Sequence, residues 1–213
     1  MISAELDSYI EQHTTALPTY MQDLERETYL KVLMPQMLSG NVQGLSLEIF
    51  SRLLKPKNIL EIGTFTGYSS ICLAQGLEKN GHLYTIDINE ELEDLAKTYF
   101  AKAELKDKIT FLSGDAQEII PKLDKEFDLI FIDADKRNYA KYYEQCLPKL
   151  SERGIILVDN VLWDGKVANK ENFSDKDTIS LRKFNAMVQT DNRVINTIFP
   201  IRDGIMLIMK RQS

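Results

Sequence analysis

Cysteine is scarce in this chain. Its 213 residues include two, Cys72 and Cys146. Both fall in segments with helical patterning, and their spacing suggests neither a zinc site nor a disulfide framework. A reducing, cytoplasmic setting is the simple expectation. Long apolar runs are missing as well; none approaches the roughly 20 residues needed to cross a bilayer. The opening Met1-Ile2-Ser3-Ala4-Glu5-Leu6-Asp7 has neither the basic nor the apolar region of a secretory leader. Nor is there an excess of positive charge. Lys and Arg number 26 against 32 Asp and Glu, a net charge of −6. That balance gives no general attraction for nucleic acid or an anionic membrane. Repeats, low-complexity stretches and linkers do not occur. What remains is an ordinary soluble composition, long enough for one domain with a substantial core.

Periodicity divides that expected domain, 1–213, into an N-terminal helical cap (1–55) and an α/β core (56–213). Ile2, Leu6 and Ile10 recur on one helical face. Tyr20, Leu24 and Tyr29-Leu30 mark a second helix ending near Pro35, and a third spans about 45–54 before Lys55-Pro56. Beyond residue 56 strands and helices alternate. Strands are expected at 59–62, 82–86, 109–112, 127–132 and 155–158, and helices at 68–77, 90–103, 116–123, 139–150 and 178–189. Such alternation builds a parallel sheet with helices on both faces. The last two strands, 193–199 and 205–209, are separated only by Pro200-Ile201-Arg202-Asp203-Gly204. That is too short for a parallel crossover, so they form an antiparallel hairpin. The longest loop, 162–176, is polar and is expected to border the site.

Two hydrophobic strands end abruptly in acid. One runs into Asp133-Ala134-Asp135-Lys136, the other into Asp159-Asn160. Residues directly after a parallel strand sit at the carboxyl edge of the sheet, where α/β folds place ligands. Asp133, Asp159 and Asn160 offer oxygen donors of the kind a hard divalent cation prefers, and Lys136 is one short step away. Helix capping and a tight turn are simpler uses of these residues. The coincidence of two such strand ends favours a metal-assisted site.

Leu60-Glu61-Ile62-Gly63-Thr64-Phe65-Thr66-Gly67-Tyr68-Ser69 reads as strand, turn and helix. Gly63 and Gly67 permit a tight turn and close approach of a ligand. Their spacing is not the G-x-G-x-x-G of dinucleotide folds, which argues against a nicotinamide-dependent dehydrogenase. Glu61 would repel a pyrophosphate but suits a cationic ligand such as a sulfonium amino acid. Asp87, about 20 residues past the turn, can accept both hydroxyls of a ribose; it, or Asn89, can equally cap the following helix. Ser113-Gly114-Asp115-Ala116 can meet an adenine edge, or Asp115 can cap a helix, or both.

With these residues collected, the chain resembles the cation-dependent class I O-methyltransferases, the group containing the caffeoyl-CoA and catechol enzymes. The resemblance runs from Met37 to the last strand. It is carried by residues 37–44, 60–69, 131–139 and 158–165, above all by Phe131-Ile132-Asp133-Ala134-Asp135-Lys136 and Asp159-Asn160-Val161-Leu162-Trp163. It implies a Rossmann-like seven-stranded methyltransferase sheet, S-adenosylmethionine as methyl donor, a small catechol-like acceptor and a homodimer. Ser39 and Glu61 would hold the donor's methionine part, with Gly63, Thr64 and Ser69 lining that pocket. Asp87 would bind the ribose, Ala116 the adenine, and Asp135 the donor's amino group. Asp133, Asp159 and Asn160 would ligate Mg²⁺ or a similar cation such as Mn²⁺ or Ca²⁺, and Lys136 takes the place of the general base. Plant members carry a basic CoA-recognition region near the N-terminus; here only Arg26 and Lys31 stand nearby. Some bacterial members methylate a hydroxylated uridine in tRNA. Lys166, Lys170, Lys176, Arg182 and Lys183 keep that alternative open, against the acidic total.

Overall fold

The computed structural model describes residues 3–169 and 175–212. Seven strands form one sheet in the order β3-β2-β1-β4-β5-β7-β6. They are β1 (Asn58–Ile62), β2 (His82–Asp87), β3 (Ile109–Ser113), β4 (Phe127–Ile132), β5 (Leu150–Val158), β6 (Val194–Phe199) and β7 (Ile205–Lys210). β1 to β5 pair in parallel; β7 lies antiparallel between β5 and β6. The mostly parallel sheet with an antiparallel C-terminal strand, read from the short final connection, is the one observed.

Eight α-helices accompany the sheet among the described residues: α1 (Ala4–Gln12), α2 (Thr19–Lys31), α3 (Gly40–Leu54), α4 (Tyr68–Ala74), α5 (Glu93–Lys102), α6 (Ala116–Ile119), α7 (Tyr139–Cys146) and α8 (Lys176–Thr190). Alternate side chains of a strand point to opposite faces, so a strand covered on both sides is apolar throughout. Ile59, Leu83, Leu129, Phe131 and Leu157 accordingly pack with α2 to α5. Leu60, Ile62, Ile86, Ile130 and Ile132 pack with α6 to α8. No helix among the described residues is long and apolar enough to cross a membrane.

Several boundaries differ from expectation, each for a local reason. α7 stops at Cys146 and α6 at Ile119; both continue as 3₁₀ turns carrying Pro148 and Pro121. Proline clashes with the carbonyl four residues back and supplies no N–H. α2 ends at Lys31, and Met34, just before Pro35, takes a left-handed conformation; proline disfavours the α region for its predecessor. α3 begins at Gly40, a polar first turn without the apolar signature of the rest. α1 buries no residue, so the apolar face expected of Leu6 and Ile10 meets no core; Ile2 lies outside the described residues.

Candidate active site

The carboxyl edge of the sheet opens into a cleft of about 1560 Å³. Its floor extends the parallel ladder by one residue past each strand. The amide of Gly63 donates to Ile86 O at 2.9 Å, that of Asp133 to Ile62 O at 2.8 Å, and that of Asp159 to Ile132 O at 3.0 Å. The two acids are therefore pinned side by side, since Ile132 and Val158, which precede them, are paired in register. A Cβ on Gly63, whose φ is +101°, would lie 1.9 Å from the carbonyl oxygen of Asp133. The glycine turn and the acidic strand end thus share one contact.

At the glycine turn, Asp87 Oδ2 accepts from the amides of Thr64 at 2.9 Å and Phe65 at 2.7 Å. The next helical turn is capped by the side chain of Asn89, which accepts from the Glu91 amide, so capping is not the task of Asp87. Asp115 does cap α6, accepting from the Gln117 amide at 2.8 Å, and Ala116 lines the cleft beside it. Ser39, Gly63, Thr64, Ser69 and Asp135 also line it. Asp135 is held between Tyr142 Oη, which donates to Oδ1 at 2.5 Å, and Asn138 Nδ2, which donates to Oδ2 at 2.6 Å.

Glu61 sits differently from the other expected donor residues. It is fully buried and does not line the cleft. The Ser69 hydroxyl donates to its Oε1 at 2.6 Å, Thr85 to its Oε2 at 2.6 Å, and Ser70 to the same oxygen. Burial pushes its carboxyl up to about 7, although the three hydroxyl donors pull it back. Glu61 reaches the cleft through Ser69, and through Thr85 it connects to Thr64, whose hydroxyl is 2.5 Å from that of Thr85.

At the acidic strand ends, Lys136 Nζ donates to Asp133 Oδ1 at 2.9 Å and to Tyr139 Oη at 2.8 Å. Tyr139 Oη in turn donates to the carbonyl of Asp159 at 3.1 Å. Burial, then the charges of Asp133 and Asp159, hold the Tyr139 phenol well above its usual range, so it stays neutral. The ammonium also lies 5.9 Å from the Trp163 ring centroid. Burial and the nearby Asp133 carboxylate raise Asp159, and Gln43 Nε2 donates to its Oδ2. A divalent cation between the two carboxylates would remove that repulsion, so the donor set fits such an ion. No group of three His, Cys, Asp or Glu with metal-holding geometry occurs among the described residues. Two carboxylates and the Asn160 amide oxygen are fewer donors than the six or more a hard cation takes, which leaves room for oxygens of a ligand.

Left-handed backbone concentrates around this cleft. Met34, Phe65, Asn160, Trp163, Asp164 and Arg202 have φ between 48° and 61°, and all six line it. Elsewhere among the described non-glycine residues only Lys55 and Glu104 share a positive φ. Such conformations are costly for side-chain-bearing residues and gather at functional sites.

Arg202 was not foreseen. It sits in the β6–β7 turn, and its Nη1 donates to Leu38 O at 2.8 Å and also to Ser39 O. A directional argument finds it: β6 runs parallel to β5, so the turn after β6 falls at the carboxyl edge. Gln43, Tyr139, Asn138 and Tyr142 were also missed; of these, Tyr139 could have been found from its position three residues after Lys136. Of the basic cluster, Lys176 and Lys183 are exposed, whereas Arg182 is tied down. Arg182 donates to the carbonyls of Val167 and Lys166 at 3.0 and 2.8 Å, holding the loop before α8; Lys170 lies outside the described residues.

Sheet order, with the glycine turn and the acidic strand ends gathered at one edge, defines a mostly parallel α/β fold whose cleft opens at its carboxyl edge. The sequence profile of the O-methyltransferase family matches residues 11–211, and the chain belongs to that family. A catechol O-methyltransferase from Niastella koreensis is 39% identical over 170 residues, covering 78% of this chain and 76% of that protein. A probable caffeoyl-CoA O-methyltransferase from Dictyostelium discoideum is 31% identical over 208 residues, covering 95% and 90%. The crystal structure of an O-methyltransferase from Bacillus cereus in complex with SAH superposes with a TM-score of 0.89 at 27% identity, covering 97% of each chain.

Proposed function

We propose that this O-methyltransferase transfers a methyl group from S-adenosylmethionine to one hydroxyl of a small vicinal dihydroxy aromatic, with a divalent cation held by Asp133, Asp159 and Asn160 and with Lys136 as general base. One observation carries the reading. Asp133 and Asp159 end neighbouring strands, and Lys136 Nζ lies 2.9 Å from Asp133 on the cleft side.

Asp87, its Oδ2 held by two turn amides and its Oδ1 by the Asn89 amide, meets the donor's ribose. Asp135, fixed by Tyr142 and Asn138, meets its ammonium, and Ser69 presents the buried Glu61 to the methionine end. When bound, the cation would lower the pKa of a hydroxyl oxygen placed on it and orient that oxygen. Lys136 takes the hydroxyl proton on Nζ. The oxygen forms a bond to the methyl carbon as the carbon–sulfur bond breaks, leaving a neutral thioether and a methyl ether. Holding both partners in one cleft supplies much of the acceleration.

The test is a transfer assay with methyl-labelled donor across catechol, caffeic acid, flavonoids and tRNA, with and without Mg²⁺. Label should reach the catechols only when Mg²⁺ is present. Equal transfer after complete chelation would remove the metal role, and transfer to tRNA alone would replace the acceptor.

A further inference from the structure

Large apolar side chains gather in solvent on one rim of the cleft. Leu33 is 89% exposed, Met34 58% and Met37 57%, and all three line the cleft. They lie on the short α2–α3 connection, where left-handed Met34 turns the chain. Trp163, the chain's one tryptophan, lines the same cleft from the loop after β5. A cluster of this kind at the mouth of a cleft marks a binding site for apolar matter.

The charges around the cleft point the same way. Its basic residues among those described are Lys31, Lys136, Arg137 and Arg202. Each already has a partner: Glu27 at 2.7 Å, Asp133 at 2.9 Å, Asp177 at 2.8 Å and the carbonyl of Leu38 at 2.8 Å. Asp7, Asp164 and Asp203 add further acids to the lining. Ten acids line the cleft against these four bases, so an anionic group arriving here meets a net negative wall, which like charge disfavours.

We infer that the acceptor carries an uncharged, apolar body beyond its two hydroxyls, seated on Leu33, Met34 and Met37, and that acceptors with anionic tails, CoA thioesters among them, are selected against. The inference rests on the proposed reading of the cleft as a methyl-acceptor site and narrows it to one substrate class. Leu33 and Met37 become specificity-determining residues.

The test compares kcat/KM, with Mg²⁺ and donor, for catechol, 4-ethylcatechol, 4-butylcatechol, a catechol of matched length ending in a carboxylate, and caffeoyl-CoA. Each methylene covered by the rim should raise kcat/KM about fourfold until the rim is filled. The carboxylate-tailed acceptor and the thioester should fall about tenfold or more below 4-butylcatechol. Leu33→Lys and Met37→Lys, at exposed positions, should each reduce the alkyl advantage and improve the carboxylate-tailed acceptor. Transfer to plain catechol with no gain from alkyl tails, or with the thioester preferred, would overturn the inference and leave the catechol reading standing. No transfer to any catechol would remove the catechol reading and the inference with it.

Discussion

Gln43 Nε2 lies 2.5 Å from Asp159 Oδ2, and both side chains are buried. The Gln43 Oε1 atom is in turn 3.3 Å from Arg202 Nη1. A residue of the helical cap and one of the final hairpin thereby orient a carboxylate at the centre of the sheet edge. Outer partners of this kind set the affinity of a metal site. Gln43→Leu should weaken Mn²⁺ binding about tenfold or more, measured by electron paramagnetic resonance, while affinity for S-adenosylhomocysteine changes less than twofold. Unaltered Mn²⁺ affinity would show that the contact is packing only.

Lys136 is fixed from two sides, by Asp133 and by Tyr139. Replacing it with methionine keeps the aliphatic stem and removes the nitrogen. Turnover should drop about 10²- to 10⁴-fold, the usual worth of a positioned base, with S-adenosylhomocysteine binding retained by calorimetry. A variant that still turned over at half the parental rate would exclude Lys136 from proton transfer.

Buried Glu61 makes stability depend on pH. Its carboxyl is raised from 4.5 to about 7 in the fold, chiefly by burial. The folded state therefore holds this proton more tightly than the unfolded state does. The contribution is fully present below pH 4.5 and is lost as pH rises through about 7. Relative to Glu61→Gln, the parent should lose up to about 3 kcal/mol over that window, at 1.36 kcal/mol per unit. Urea unfolding of both proteins at several pH values reads this directly; parallel stability curves would mean that Glu61 does not titrate there.

Gly63→Ala is expected to be among the most damaging small substitutions. The new methyl group would collide with the backbone carbonyl of Asp133, at a φ of +101° that side chains avoid. A cost on the order of 3 kcal/mol or more is expected, and Mn²⁺ and donor binding should weaken together because one contact joins the two sites. Stability within 0.5 kcal/mol of the parent, roughly the effect of a neutral surface change, would refute the shared-contact account.

The sheet was legible from short-range pattern. Apolar strands buried on both faces stand out at 127–132 and 155–158, and the five residues between β6 and β7 permit only a hairpin. The acidic strand ends followed from the same reading, because chain direction alone places Asp133 and Asp159 at one edge. Less legible was whatever depends on distant segments. Gln43 and Asp159 are 116 residues apart, and Arg202 and Leu38 are 164 apart. Neither pair leaves a local signature. The buried position of Glu61 was hidden too: a carboxylate beside a glycine turn reads as a ligand group, and only the convergence of Ser69, Ser70 and Thr85 shows it set beneath the floor.

The place of β7 between β5 and β6 has a consequence for assembly on the ribosome. The residues proposed to grip the donor, from Ser39 to Asp135, precede β5 in the chain, and their strands pair among themselves. The cleft wall at Arg202 and Asp203 waits for the penultimate strand, β6, and its turn takes shape only when β7 inserts beside β5. A nascent chain would in this order build its nucleoside pocket first. The wall carrying Arg202 and Asp203 would be closed by one of the latest strands to emerge.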